Sequence, residues 1–148
     1  MAGKKFELEQ VLKYRIEIER MRSQEFAVAK RDFEYAADML ALQEVQLELS
    51  AKEFIEKHDE MENIEELCMY ANFFSRKRSE IINQKEQIDI LGNEMNDRRE
   101  ILLDASKDKK VLESFKEKRA NQFRQAMNLK ERTFMDEISI QKKAGHAR

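Results

Sequence analysis

The chain has 148 residues, 39% of them charged, with no proline, no tryptophan and only three glycines. So little punctuation argues against a globular domain with a thick core and for long, uninterrupted helices of coiled-coil composition in one elongated unit. The net charge of −2 hides an acidic body, 14 Lys and Arg against 22 Asp and Glu over residues 1–97, followed by a basic arm, 14 against 8 over residues 98–148.

The N-terminal "MAGKKFELEQ" has no apolar core, and nowhere does an apolar run approach the length of a membrane span, so neither a signal peptide nor membrane insertion is expected. A first helix is predicted over residues 5–57. Sevenfold steps from Leu12 land on Glu19, Phe26, Phe33, Leu40, Leu47 and Phe54, and the interleaved ladder runs through Leu8, Arg15, Arg22, Ala29, Ala36, Gln43 and Ser50. Two helices need such a seam to stay in contact. The polar stretch "EKHDEMENIE" follows, and the turn is placed at about residues 58–63, with Asn63 as the cap of the next helix and Glu65 and Glu66 in its first turn.

A second helix is predicted over residues 64–143, its seam running through Leu67, Phe74, Ile81, Ile88, Met95 and Leu102, with Leu91, Ala105, Leu112 and Ala126 alongside. Residues 144–148 are expected to fray. The lengths are unequal, roughly 80 Å against roughly 120 Å at 1.5 Å per residue. With the turn near residue 61, the second helix is paired only to about residue 117 and its end overhangs. A rival turn near Ser75 would pair Leu12 with Ile138 and leave no overhang. Beyond Leu112 the strongest apolar residues, Phe123, Met127, Phe134 and Ile138, follow a shifted stripe, either a second face with its own client or a stutter in one coiled coil.

Nothing along the chain has the pattern of a catalytic or metal site. His58 and His146 lack a second ligand at metal spacing, and Cys68, among Leu67, Met69 and Tyr70, reads as a packed thiol rather than a nucleophile, in a reducing compartment. No phosphate-cradling glycine motif occurs, and no cofactor is expected. The basic arm suits nucleic acid, an anionic membrane or an acidic protein surface, or is a solvated face. Its Lys107, Lys109, Lys110, Lys116, Lys118, Arg119 and Arg124 are spread round the helix and interrupted by acids, which argues against nucleic acid.

"FELEQVLKYRIEIER" near the start, the aromatic "YANFF" early in the second helix, and "KKVLESFKEKRANQFRQAMNLKERTFMDEIS" towards the end resemble the FliJ family of bacterial flagellar export proteins over essentially the whole chain. The most specific matches are Phe6, Leu8, Val11, Leu12, Tyr14 and Arg15, then Leu112, Glu113, Lys116, Arg119, Lys130, Asp136 and Glu137. The resemblance implies a non-enzymatic hairpin similar to the gamma subunit of rotary ATP synthases. Such a protein inserts into the hexameric ring of the flagellar export ATPase, promotes its assembly, contacts the cytoplasmic part of the export gate and escorts substrate-specific export chaperones. A monomer in the cytoplasm, peripheral to the inner membrane at the flagellar base, is implied.

Carried over residue by residue, the gate-contacting surface falls on Gln43, Leu47, Phe54, Tyr70 and Phe73, and the ATPase-facing part on Arg15, Arg22, Arg119, Arg124 and Phe134. This sequence departs from the family pattern at Ser50, where an aromatic is expected, and at Lys77 and Glu80, where small or apolar residues are expected. Arg15 and Arg22, charges within the seam, are expected to soften the open end. The sequence thus predicts an all-α fold, two long helices forming an antiparallel coiled-coil hairpin. A structural scaffold built as a homodimer is the alternative.

Overall fold

The structure is a computed structural model and describes residues 5–60 and 62–146. Two helices dominate: α1, Glu9–Lys57, of 49 residues, and α2, Ile64–His146, of 83 residues, with a short 3-10 turn at His58–Glu60 between them. No strand occurs among the described residues. The fold is the expected all-α, antiparallel two-helix hairpin.

Both helices differ at their ends from the sequence reading. α1 begins at Glu9 rather than at residue 5, because the Glu9 amide donates to the Phe6 carbonyl at 3.2 Å in a turn and the Phe6 ring is drawn 5.7 Å from that of Phe115. At its other end, His58 Nδ1 lies 2.7 Å from the Ile55 carbonyl. Asn63 Oδ1 accepts from the Glu65 amide at 3.0 Å, capping α2 over the carboxylates of Glu65 and Glu66. Met61, the centre of the expected turn, lies outside the described residues. α2 is continuous through Ser75, which removes the rival turn there. It also continues past residue 143 to His146, where Lys143 and His146 occupy the last turn and suit its negative end. Residues 147–148 of the expected frayed tail lie outside the described residues.

The chain divides into two compact units, each containing a stretch of both helices. In unit 1, Met1–Arg20 with Asp104–Arg148, the pairing is antiparallel: Glu9 meets Lys116 at 2.9 Å, Arg15 meets Asp108 at 3.3 Å and Glu19 meets Lys109 at 2.9 Å. Leu12 and Ala105 are its buried apolar residues. From Glu113 to Glu137 every residue of α2 is exposed.

In unit 2, Met21–Leu103, the seam is mainly apolar and aromatic. Ala29 and Ile81 are buried, and Phe26, Phe33, Leu40, Leu47, Phe74, Ile88 and Met95 are half-buried. Gly92 is in the seam because a Cβ there would lie 3.3 Å from the Phe33 ring. The Phe54 ring lies 5.2 Å from Tyr70 and 5.7 Å from Phe74. Three seam assignments fail: Leu8 and Leu67 are exposed, lying before the first well-covered residues at their ends, Leu12 and Tyr70, and Ala126 is exposed within Glu113–Glu137. Among the described residues no side chain is below 2% exposed, so stability here accumulates along a seam instead of in a deep core.

Candidate partner-binding surfaces

Unit 2 gathers four of the five gate-assigned residues around one cluster. Phe54 projects from the last turns of α1 onto Tyr70 and Phe74, and Phe73 stands 5.6 Å from Phe74. Gln43 joins through Lys77, whose ammonium donates to Gln43 Oε1 at 3.3 Å and to Glu80 at 3.2 Å while lying 5.9 Å from the Phe73 ring. Leu47 is half-buried in the seam of the same unit. The departures at Lys77 and Glu80 therefore satisfy one another. Phe74, assigned only to the seam, is a full member of the aromatic cluster, and its adjacency to Phe73 was the signal available for it.

Ser50 lines an open groove of about 710 Å³ with Met69, Tyr70 and Phe73 as apolar wall and Glu53, Glu60 and Glu66 on its rim. The groove is open to solvent and holds no convergent set of catalytic groups.

The ATPase-assigned residues are not brought together. Arg119 and Arg124 line a second groove, of about 740 Å³, with Phe6, Phe115 and Phe123. The Arg119 guanidinium stacks 5.1 Å from the Phe115 ring, and Arg124 donates to Asn121 at 3.1 Å. Arg15 is also in unit 1, spanning to Asp108, whereas Arg22 belongs to unit 2 and pairs with Glu25 at 3.0 Å. Glu25 holds Arg98 as well, at 3.3 Å. Each of the two seam guanidiniums, Arg15 and Arg22, has found an acid, which offsets the packing cost of a charge facing the partner helix. Phe134 stands apart, 61% exposed, with Met135 beside it at 61%, ten positions and roughly 15 Å along the helix from Arg124.

One pair has shifted protonation equilibria. Lys109, donating to Glu19 and helped by the Ser106 hydroxyl, holds the Glu19 carboxyl below its ordinary 4.5. Glu19 in turn holds the Lys109 ammonium above its ordinary 10.5. Hydrogen bonding between the two charged forms is the cause.

Cys68 is exposed, contrary to the packed thiol expected, because Tyr70 and Phe74 take the inward positions at this end of α2. Among the described residues no group of three or more His, Cys, Asp and Glu is arranged to hold a metal, and no helix is long and apolar enough to cross a membrane.

A two-helix hairpin with these surfaces was compared with known proteins, and the family model described as flagellar FliJ protein matches residues 4–148. The chain belongs to that family. It is accordingly a flagellar export component, of a family not known as one of enzymes. Searches of curated proteins and of solved structures returned no match.

Proposed function

We propose that this chain is the non-enzymatic stalk and chaperone-escort component of the flagellar type III export apparatus, inserting into the export ATPase ring, promoting its assembly and coupling it to the export gate. One observation carries the reading. Phe6 and Glu9 reach α2 at Phe115 and Lys116, but every residue from Glu113 to Glu137 is exposed, and the stretch bears Phe115, Phe123, Met127, Leu129, Phe134 and Met135. Most helical stability comes from packing an apolar face, so the shifted apolar stripe of this stretch gains most when another molecule covers it. The basic groove of Arg119 and Arg124 favours an acidic partner there, in keeping with the ATPase as client. The aromatic cluster and the Ser50 groove are the corresponding surface for the export gate, at a peripheral position on the inner membrane.

The test is a titration of the full chain into purified export ATPase, following ring assembly and ATP turnover. Both are expected to rise. No change in either would remove the stalk reading and favour a scaffold.

A further inference from the structure

α1 carries a second apolar ladder that its pairing with α2 leaves unused. Within unit 2, Met21, Val28, Tyr35, Leu42 and Leu49 follow at seven-residue steps and all are exposed, from 48% at Met21, Val28 and Leu42 to 59% at Leu49 and 65% at Tyr35. The last four stand two positions on from the seam residues Phe26, Phe33, Leu40 and Leu47, about 200° further round the helix. Met39, 38% exposed, and Val45, 53% exposed, occupy the interleaved positions, so Tyr35, Met39, Leu42, Val45 and Leu49 form a continuous stripe.

Scattered exposed apolar residues are ordinary on any protein; periodic ones are not. α2 supplies the control. Its exposed apolar residues in the same unit, such as Met69, Ile82, Ile90 and Ile101, make no sevenfold run. A helix with apolar stripes on two sides is built for two neighbours, and α2 is only one of them.

Charge identifies the other. Residues 21–53 hold 7 Asp and Glu against 4 Lys and Arg; Glu34 and Glu48 have Lys30 at 3.9 Å and Lys52 at 3.8 Å, while Asp32 and Asp38 stand three residues to either side of Tyr35. At the N-terminal end of the stripe Met21 and Val28 border a groove that also exposes Glu25, Asp32, Glu94 and Arg98, and Arg98 is already held by Glu25 at 3.3 Å. Acidic flanks repel anionic lipid and nucleic acid. They also disfavour a second copy of this chain, which packed antiparallel about Tyr35 would set Asp32 against Asp38 of the other copy.

We infer that the outer face of α1 between Met21 and Leu49 is a docking seam for one amphipathic helix of another protein, apolar at heptad spacing and flanked by Lys and Arg. This goes beyond the stalk reading, since no residue of this stripe is among those assigned to the gate or the ATPase.

The test uses the full chain and a fluorescently labelled synthetic helix of about three heptads, leucine at its inward positions and lysine on its flanks, with a glutamate-flanked control. Binding is followed by anisotropy. The lysine peptide is expected to bind and the glutamate peptide to fail. The double substitution Tyr35→Glu and Leu42→Glu is expected to weaken binding about tenfold or more with circular dichroism and melting unchanged. Because this variant adds negative charge, an attraction that was only electrostatic would strengthen instead, and that result overturns the proposal. Equal binding of both peptides overturns it too. Sedimentation of the unmodified chain provides the last arm: self-association abolished by the same double substitution would mean that a second copy covers the stripe, contrary to the inference.

Discussion

Units 1 and 2 draw on the same two helices and the same sevenfold repeat, yet different forces hold them. Unit 1 carries 17 Lys and Arg against 11 Asp and Glu, a balance of +6, and unit 2 carries 11 against 19, a balance of −8. Unit 1 has three ion pairs between its helices around Leu12 and Ala105 and one ring pair, Phe6 on Phe115, whereas unit 2 has two such ion pairs, Glu25 with Arg98 and Glu44 with Lys85, and adds Phe33 against Gly92 and the rings of Phe54, Tyr70, Phe73 and Phe74. The heptad repeat decides that the helices pair; the residue types within it decide how durable each stretch is. Aromatic packing is insensitive to salt and pH, while partly exposed ion pairs are worth little each and are screened. A durable stretch and a loosely held one within one chain suit a part that keeps one end and offers the other.

The largest expected effect is at the aromatic cluster. Phe54→Ala should cost unit 2 about 2–3 kcal/mol, seen as a lower melting temperature and faster amide exchange in residues 47–57 and 67–77. A loss below about 0.5 kcal/mol would show that the cluster is surface decoration. Next, raising salt to about 1 M shortens the screening length to about 3 Å, and should reduce amide protection over residues 9–20 more than over residues 21–50. Equal changes in both stretches would erase the contrast between the units.

A smaller effect comes from pH. The depressed Glu19 carboxyl contributes its full stabilisation above its ordinary 4.5 and loses it as pH falls through its lower folded value. The raised Lys109 ammonium contributes fully below its ordinary 10.5 and loses it as pH rises through its higher folded value. Protection of unit 1 should therefore be flat across the neutral range and fall at both extremes, and Glu19→Gln should flatten the acid limb; an acid limb unaltered by that substitution would assign it to other groups. The smallest expected effect on stability is that of Phe134→Ala with Met135→Ala, within about 0.5 kcal/mol, because both side chains are well exposed.

The helices and their inward faces were legible from Leu12, Phe26, Phe33, Ile81 and Ile88, since a repeat of seven in a chain without proline admits few other readings. The Asn63 cap was legible for the same kind of reason, a short acceptor side chain directly before an acidic first turn. Contacts that depend on two distant residues were not. Lys77 looked like an intruder until Gln43 and Glu80 were found around it, and Arg15 and Arg22 looked unpaired because their acids sit 93 residues away at Asp108 and within the same face at Glu25. The outer ladder from Met21 to Leu49 was present in the sequence at the same period as the seam, but only the exposure of each side chain separates a second seam from a broad first one.

The uncovered length of α2 is the centre of this account, and Phe134 with Met135 is where it is tested most directly. The full chain and its Phe134→Ala, Met135→Ala variant are titrated side by side into the export ATPase, with turnover and melting temperature measured for each. The expected result is stimulation by the unmodified chain, a loss of most of it in the variant, and nearly identical melting. Unchanged stimulation, or a large fall in melting temperature, would show that these residues serve the hairpin itself and contradict the account.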